Sequence, residues 1–202
     1  YAVVPLSEEH GLIEWVPHTT GFRHVLLRYY GSRYNARRLK EIADSKEPEL
    51  DKFLRRLLPD FQPAVLHRWF LVVFGAPAEW YQARLAFARS AAVMSMVGYV
   101  VGLGDRHGEN ILLDSTSGEC VHVDLNCLFD KGLQFDKPER VPFRLTHNMQ
   151  DGMGVTGHEG AFRRVCELTL GVMRAHRAML MCSLESFLHD PLVEWQRSAA
   201  RA

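Results

Sequence analysis

Hydrophobic and polar residues follow a helical spacing over most of the chain. Apolar side chains recur every three or four residues, as at Phe22, Val25, Leu26 and Tyr29, which places them on one face of a helix. Pro77 is well suited to the first turn of a long helix, because N–H groups in the first turn have no partner within the helix and proline lacks only that group. We predict a helical region around residues 22–29 and helices over residues 35–58 with a break at 46–48, 61–74, 77–101, and 159–188 with an interruption at Gly171.

Two pairs of short apolar runs predict β-hairpins. Residues 1–6 and 11–16 flank a polar turn, and residues 110–114 and 120–125 flank the turn at 115–118. In the last run, the alternation of a strand places Val121, Val123 and Leu125 on one face, opposite His122 and Asp124. The predicted fold class is therefore α+β, mainly α, with a small β-hairpin.

Composition and charge restrict the class of protein. Of the 202 residues, 47% are hydrophobic and 24% charged, which is typical of one globular domain or one large lobe. The 24 basic and 24 acidic residues cancel, so direct binding to nucleic acid or to a membrane surface is not expected. The run of low charge at 90–104 is too short to span a bilayer. Four cysteines without a C-x-x-C pair favour a reducing compartment.

The loop at residues 102–110 carries the densest chemistry. Asp105 and Asn110 are five residues apart, the separation of the aspartate and asparagine in the catalytic loop of kinases. The aspartate there accepts or orients the proton of the attacking hydroxyl, and the asparagine oxygen holds Mg²⁺. Asp124, at the end of the neighbouring strand, is placed to hold Mg²⁺ across the nucleotide phosphates.

Simpler interpretations exist for the same residues. Asp105 alone could cap a loop or a helix, His107 could be a hydrogen-bonded structural residue, and Trp15 could be a core aromatic residue. Arg106 is expected to be structural and to pair with a carboxylate near the loop. A zinc site at Cys120, His122 and Cys127 is disfavoured, because no second ligand pair follows at zinc-site spacing.

The order of residues in two motifs resembles one kinase superfamily. Asp105-Arg106-His107 and Asp124-Leu125-Asn126 resemble the phosphatidylinositol 3-kinase superfamily, which includes the PI3-kinase-related protein kinases. Asn126 stands where a glycine is more usual, which favours the ATR checkpoint-kinase branch. Four further segments resemble that branch, so that the likeness covers nearly the whole chain: residues 121–129 (VHVDLNCLF), 141–149 (VPFRLTHNM), 152–154 (GMG) and 189–195 (HDPLVEW).

The resemblance implies a domain layout. The fold would be the C-terminal lobe of a PI3/PI4-kinase-like domain, with residues 1–18 as the end of the small lobe and the hinge. Residues 19–202 would form the large lobe, with a catalytic loop at 102–110 and an activation loop at 124–146. We expect the rest of the small lobe, the helical repeats and the C-terminal FATC segment of this family to be missing from this chain.

The resemblance also implies roles for individual residues. Asp105 and His107 would be catalytic, and Asn110 and Asp124 would hold Mg²⁺, with Mn²⁺ as an alternative. Trp15 would stack on the adenine of ATP, and the backbone of Glu14 and Val16 would hydrogen-bond the edge of the adenine. The apolar floor of the adenine pocket would be formed by Leu112 and Val123. The protein substrate would be positioned by Phe143, Arg144, Leu145 and Thr146.

The implied activity is phosphoryl transfer from ATP to a Ser or Thr followed by Gln, in DNA-damage and replication checkpoint signalling in the nucleus. A regulatory partner would recruit the protein to DNA, and this segment would contact neither nucleic acid nor membrane. One alternative is a phosphatidylinositol kinase, which should carry a basic activation loop, whereas residues 129–142 have no net charge. Another is a non-catalytic, truncated or scaffold fragment. No glycine-rich loop precedes the hinge, so we expect the isolated 202 residues to be inactive.

Overall fold

The computed structural model describes residues 1–188, which are mostly helical with short antiparallel strands. The mainly helical α+β class is thus confirmed, whereas the motif at 189–195 lies outside the described residues. The elements in chain order are β1 (Val3–Pro5), β2 (Gly11–Ile13), β3 (Thr19–Gly21), α1 (Phe22–Tyr30), α2 (Ala36–Asp44), α3 (Glu49–Asp51), α4 (Val65–Val73), α5 (Pro77–Val101), β4 (Ile111–Asp114), β5 (Cys120–His122), α6 (His147–Gly152), α7 (Ala161–Ala175) and α8 (Arg177–Leu188).

The strands form two separate sheets. β1 pairs with β2 as the predicted hairpin, with Val4 opposite Leu12. β4 pairs with β5, with Leu112 opposite Val121, and β3 adds a third strand on the other side of β4. The sequence analysis missed β3, because Thr19–Gly21 is three residues long and lacks an apolar alternation.

The core is built around α1, α4 and α5. Phe22 on α1, Phe70 on α4 and Phe87 on α5 are at most 1% exposed, and Leu113 on β4 packs into the same cluster. α5 has the length and apolar composition that would allow a membrane crossing, the one such helix among residues 1–188. Core helices pass the same test, and the small face of α5 that includes Ala92 is buried in this cluster.

The end of α5 sets the start of the polar loop. Gly102 adopts a left-handed conformation with φ of 60° and donates its N–H to carbonyls of the last helical turn. A glycine is needed here, since a Cβ would lie 2.6 Å from the backbone nitrogen of Asp130. The helix therefore stops at a point where a later loop crosses it.

Several predicted boundaries are wrong. The helix predicted from residue 61 begins at Val65, because Pro63 interrupts the preceding turn. The segment 159–188 is not interrupted at Gly171, which lies inside α7; the break falls at His176, between α7 and α8. The strand predicted to reach Leu125 ends at His122, and Asp124 has a left-handed φ of 57°. The strict alternation of faces expected there therefore fails.

Candidate active site

The polar loop after α5 is held on both sides by backbone hydrogen bonds. Gly104 donates its N–H to the carbonyl of Cys127 over 2.7 Å, and Val123 donates to the carbonyl of Asn110 over 3.0 Å. These bonds connect the loop to the segment that follows β5. Residues 102–110 and 124 therefore meet at one edge of the three-stranded sheet, as the spacing of the motifs requires.

Asp105 and Asn110 lie next to each other in this loop. The Asn110 side-chain nitrogen donates to the Asp105 carbonyl over 2.9 Å and lies 3.5 Å from a carboxylate oxygen of Asp105. Asp105 has a left-handed φ of 59°, a conformation that costs a non-glycine residue free energy unless its surroundings fix it. The Asn110 bond helps to fix it, while the amide oxygen of Asn110 is not used in that bond.

His107 faces Asp105 across the loop. Its Nε2 lies 3.8 Å from a carboxylate oxygen of Asp105, and its Nδ1 lies 3.2 Å from the backbone N–H of Glu109. Because Nδ1 accepts that bond, Nε2 carries the proton in the neutral ring. The exposed imidazole can thus present an N–H donor beside the carboxylate, which suits a transferring phosphate.

Arg106 is buried and holds the two halves of the site together. Its guanidinium donates to three backbone carbonyls, those of Gly104, Val123 and Asp124. Burial lowers the pKa of Arg106, while nearby carboxylates, with Asp105 first, favour its charged form. The structural role was expected, but the expectation of a carboxylate as its hydrogen-bond partner is wrong. A sequence pattern cannot show which carbonyls a loop turns inward.

Asp124 presents a carboxylate that makes no hydrogen bond or ion pair with residues 1–188, while its N–H bonds the hydroxyl of Tyr1 over 3.2 Å. The same part of the chain holds no cluster of three or more His, Cys, Asp or Glu side chains fit for a metal. Mg²⁺ prefers few protein oxygens and completes its shell with phosphate and water. The oxygens of Asn110 and Asp124 fit that pattern, and Mg²⁺ bound there would neutralise charge on the phosphates.

A cleft of about 720 Å³ separates the β1–β2 hairpin from the three-stranded sheet. All five residues expected to contact the nucleotide line it, namely Glu14, Trp15, Val16, Leu112 and Val123. Asp124 lines the same cleft, whereas Asp105, His107 and Asn110 are not among its lining residues. The Trp15 side chain is 86% exposed, so it is not a core residue. The cleft therefore combines apolar side chains, such as Leu112 and Val123, with the carboxylate of Asp124, as nucleotide binding requires.

The four residues expected to position a substrate lie elsewhere, in the segment before α6. Phe143 and Leu145 pack against the core, and the Thr146 hydroxyl caps α6 by accepting from the N–H of Met149 over 3.3 Å. Burial lowers the pKa of Arg144, and its buried Nε has no hydrogen-bond partner within residues 1–188. These four residues do not line the cleft, and their contacts attach the segment to the core.

Sequence analysis missed two features that adjoin the site. A second cleft of about 560 Å³ adjoins the loop at 102–110, and its lining includes Tyr99, Leu103, Leu133 and Val141. The carboxylate of Glu139 reaches from there to the backbone of Asp105. Neither feature has a signal in the sequence, because each depends on how the loop at 127–142 folds back.

The segment that leads into α6 is connected to the core by a buried polar pair. The Tyr30 hydroxyl donates to the carbonyl of Gln62 over 2.8 Å and accepts from the Asn148 side chain over 2.9 Å. Burial raises the pKa of Tyr30. His147 bonds the carbonyl of Phe61 over 2.9 Å. The segment that follows the site is thus connected to α1 and to the turn before α4.

Comparisons with known proteins agree with this geometry. The family model of phosphatidylinositol 3- and 4-kinase matches residues 1–197. The chain is 57% identical to the serine/threonine-protein kinase ATR of Arabidopsis thaliana and 53% identical to protein kinase rad3 of Schizosaccharomyces pombe, each over 98% of this chain. The solved FAT and kinase domain of CtTel1 superposes with a TM-score of 0.85 at 42% identity, over 96% of this chain and 14% of that one.

The similarity is confined to part of each relative. The chain spans 8% of the length of the Arabidopsis ATR and of rad3. The resemblance to PI3-kinase-related kinases, and to their ATR branch, is confirmed by these matches. The mainly helical lobe with its small sheets is likewise the fold of the matched kinase structure. The chain belongs to the phosphatidylinositol 3- and 4-kinase family.

Proposed function

We propose that this chain is the large lobe of the catalytic domain of a Ser/Thr protein kinase of the ATR type. Residues 1–18 would form the end of the small lobe and the hinge, and residues 19–202 the large lobe. The sheets support this division, since β1 and β2 pair only with each other among the described strands, whereas β3 from Thr19 joins the sheet of the site. The activity would belong to the full-length protein that carries this chain.

One observation carries the proposal. Asp105 and Asn110 share a hydrogen-bonded loop, Asn110 is bonded to Val123, and the next residue, Asp124, lines the cleft that Trp15 also lines. Phosphoryl transfer needs this set, a carboxylate at the attacking hydroxyl and hard oxygens for the metal. Catalysis of this transfer rests on positioning and charge stabilisation rather than on a covalent enzyme intermediate.

The residues have distinct roles in this mechanism. Asp105 accepts or orients the hydroxyl proton of the substrate, and the Nε2–H of His107 donates to an oxygen of the transferring phosphate. Asn110 and Asp124 would hold Mg²⁺, or Mn²⁺, when ATP is bound. Glu14 and Val16 bond the adenine edge through their backbone, with Trp15 stacked on the ring above Leu112 and Val123.

The protein substrate would carry a Ser or Thr followed by Gln, with residues 143–146 holding the loop that positions it. The resemblance to ATR-type kinases also supports a role in checkpoint signalling in the nucleus, through a partner that brings the protein to DNA. The competing lipid activity is disfavoured by the loop at 129–142, where acidic and basic side chains balance. The third candidate, a scaffold without catalysis, would leave the loop of Asp105 unused.

The test is phosphate transfer from Mg-ATP by the full-length protein. A Ser-Gln peptide and phosphatidylinositol are offered in parallel, with Asp105→Asn as the control. We expect labelling of the peptide that Asp105→Asn reduces at least about 100-fold, because the hydroxyl loses its acceptor. Labelling of the lipid instead would indicate the alternative activity, and transfer to neither would favour the scaffold.

A further inference from the structure

Glu139 connects the loop after the site to the backbone of the proposed catalytic residue. Its Oε1 accepts from the N–H of Asp105 over 2.9 Å, although the two residues are 34 positions apart. The N–H of Glu139 donates to the carbonyl of Gly132 over 3.1 Å, which closes residues 132–139 into a loop. The carboxylate is therefore presented from a closed turn and not from a free strand of chain.

Two glycines make room for this carboxylate. A Cβ at Gly104 would lie 2.6 Å from Oε2 of Glu139, and a Cβ at Gly132 would overlap the same oxygen. One glycine belongs to the catalytic loop and the other to the activation loop. Both residues are buried, so a side chain at either would displace the carboxylate from Asp105.

The Glu139–Asp105 bond extends a series of backbone hydrogen bonds between the catalytic loop and the activation loop, which otherwise ends at Gly104. Phe129 donates to the carbonyl of Val101 over 2.9 Å, and Asp130 donates to that of Gly102 over 3.0 Å. Gly104 donates to the carbonyl of Cys127 over 2.7 Å. The next N–H along the catalytic loop is that of Asp105, and the acceptor it meets is Glu139.

Asp105 needs such an acceptor more than its neighbours do. Its φ of 59° is unfavourable for a residue with a side chain, so its backbone must be held from outside. Asn110 holds its carbonyl and Glu139 holds its N–H. A hydrogen bond to a charged acceptor is also stronger than one between neutral groups.

We propose that Glu139 is a positioning residue, whose carboxylate holds the backbone of Asp105 so that catalysis requires the ordered activation loop. The inference rests on the proposed function, since it gives Asp105 its place in phosphoryl transfer. Displacement of residues 132–139 would release the N–H of Asp105, and the carboxylate of Asp105 would lose its direction. The loop thereby becomes a point at which activity can be controlled without any change in the nucleotide cleft.

The experiment compares Glu139→Ala, Glu139→Gln and Asp136→Ala in the full-length protein, with Asp105→Asn as the inactive reference. Asp136→Ala is the matched control, because Asp136 is an exposed carboxylate of the same loop without a described partner. We expect Glu139→Ala to lower kcat for the Ser-Gln peptide about 10- to 100-fold, with KM for ATP within twofold. Glu139→Gln keeps an oxygen acceptor and should recover most of that loss.

A second pair of measurements separates positioning from loss of folding. Gly132→Ala should reproduce the fall in kcat, because its methyl group occupies the place of Oε2. Hydrogen exchange over residues 103–110 should speed up in Glu139→Ala, while the melting temperature stays within about 2 °C of that of the parent.

The outcomes are distinct. A kcat for Glu139→Ala within twofold of the parent overturns the inference, and so does an equal loss in Asp136→Ala or no recovery in Glu139→Gln. A parent protein that transfers phosphate to neither substrate overturns the proposed function instead. Unchanged exchange at 103–110 in Glu139→Ala also overturns the inference, whatever the kinetics.

Discussion

Two side chains of the candidate site differ in burial, which separates a residue that holds the site together from one that we propose to contact the nucleotide. Arg106 is 7% exposed and bonds three carbonyls, whereas Trp15 is 86% exposed and contributes nothing to the core. The first is expected to affect stability, and the second nucleotide binding.

Replacement of Arg106 by Met should destabilise the protein. The change leaves the carbonyls of Gly104, Val123 and Asp124 without their donor, which we expect to lower the free energy of unfolding by about 2–4 kcal/mol. Urea unfolding of the parent and the variant measures this difference in the free energy of unfolding. Arg140→Met, at an exposed arginine, serves as the control and should change stability by less than about 0.5 kcal/mol. Equal losses in the two variants would contradict the role given to Arg106.

Replacement of Trp15 by Ala should weaken nucleotide binding with little change in stability. The exposed indole loses no core contact when it is removed, but the adenine loses its stacking surface. We expect the Kd for ATP to rise about 10-fold, measured by titration with a fluorescent nucleotide. The matched control is Tyr81→Ala, an exposed aromatic residue on α5 that lines no part of the nucleotide cleft. An unchanged Kd in Trp15→Ala would remove Trp15 from the site.

The end of a helix depends on capping and on tertiary contacts, so a glycine does not always mark a helix end. Gly171 lies on the exposed face of α7 with open space around it, so it does not interrupt the helix. Gly152 closes α6 in a buried position, where a Cβ would lie 2.9 Å from the Cβ of Leu66. The same residue type is thus replaceable in one helix and required in another.

Alanine at these two glycines should therefore have opposite effects. Gly171→Ala should raise the free energy of unfolding by about 0.5–1 kcal/mol, since alanine reduces the freedom of the unfolded chain. Gly152→Ala should lower it by about 1–3 kcal/mol, because Leu66 on α4 must move. Thermal or urea unfolding of the two variants side by side measures both. A lower free energy of unfolding in Gly171→Ala would contradict the continuous α7 helix at this position.

The whole molecule is held by a core that reaches the sheet of the site. Cys120 on β5 is 4% exposed, and its N–H donates to the hydroxyl of Ser90 on α5 over 2.8 Å. Burial raises the pKa of the Cys120 thiol to about 12. The folded protein therefore keeps this proton at a pH where the unfolded chain, with an ordinary thiol pKa near 9, loses it.

Stability should consequently fall in alkaline solution. The contribution of Cys120 is fully present below about pH 9 and is lost as the pH rises toward 12, which amounts to roughly 2 kcal/mol at about pH 10.5. Urea unfolding at about pH 7.5 and 10.5 measures it, and Cys120→Ala should show a smaller drop between the two. Cys182→Ala, at an exposed cysteine, is the control and should keep the full drop. Equal drops in the parent and Cys120→Ala would contradict this origin.

The sequence predicted most of the fold, because local spacing encodes local structure. The apolar repeat of α5 and its opening proline placed both of its ends, and the alternation around 115–118 placed the hairpin of β4 and β5. The errors fall where distant contacts decide. β3 exists because it pairs with β4, about ninety residues later, and β5 ends early because Asp124 turns into the left-handed region.

The sequence by itself determined the family of this protein and suggested the chemistry proposed for it, because the types and spacing of Asp105, Asn110 and Asp124 can be recognised without a structure. Only the tertiary structure decided what holds these residues in place. The carbonyls that Arg106 binds and the reach of Glu139 to Asp105 follow from how separate loops meet. Such contacts join residues far apart along the chain, and hydrogen-bond partners at that distance are set by packing and not by local pattern.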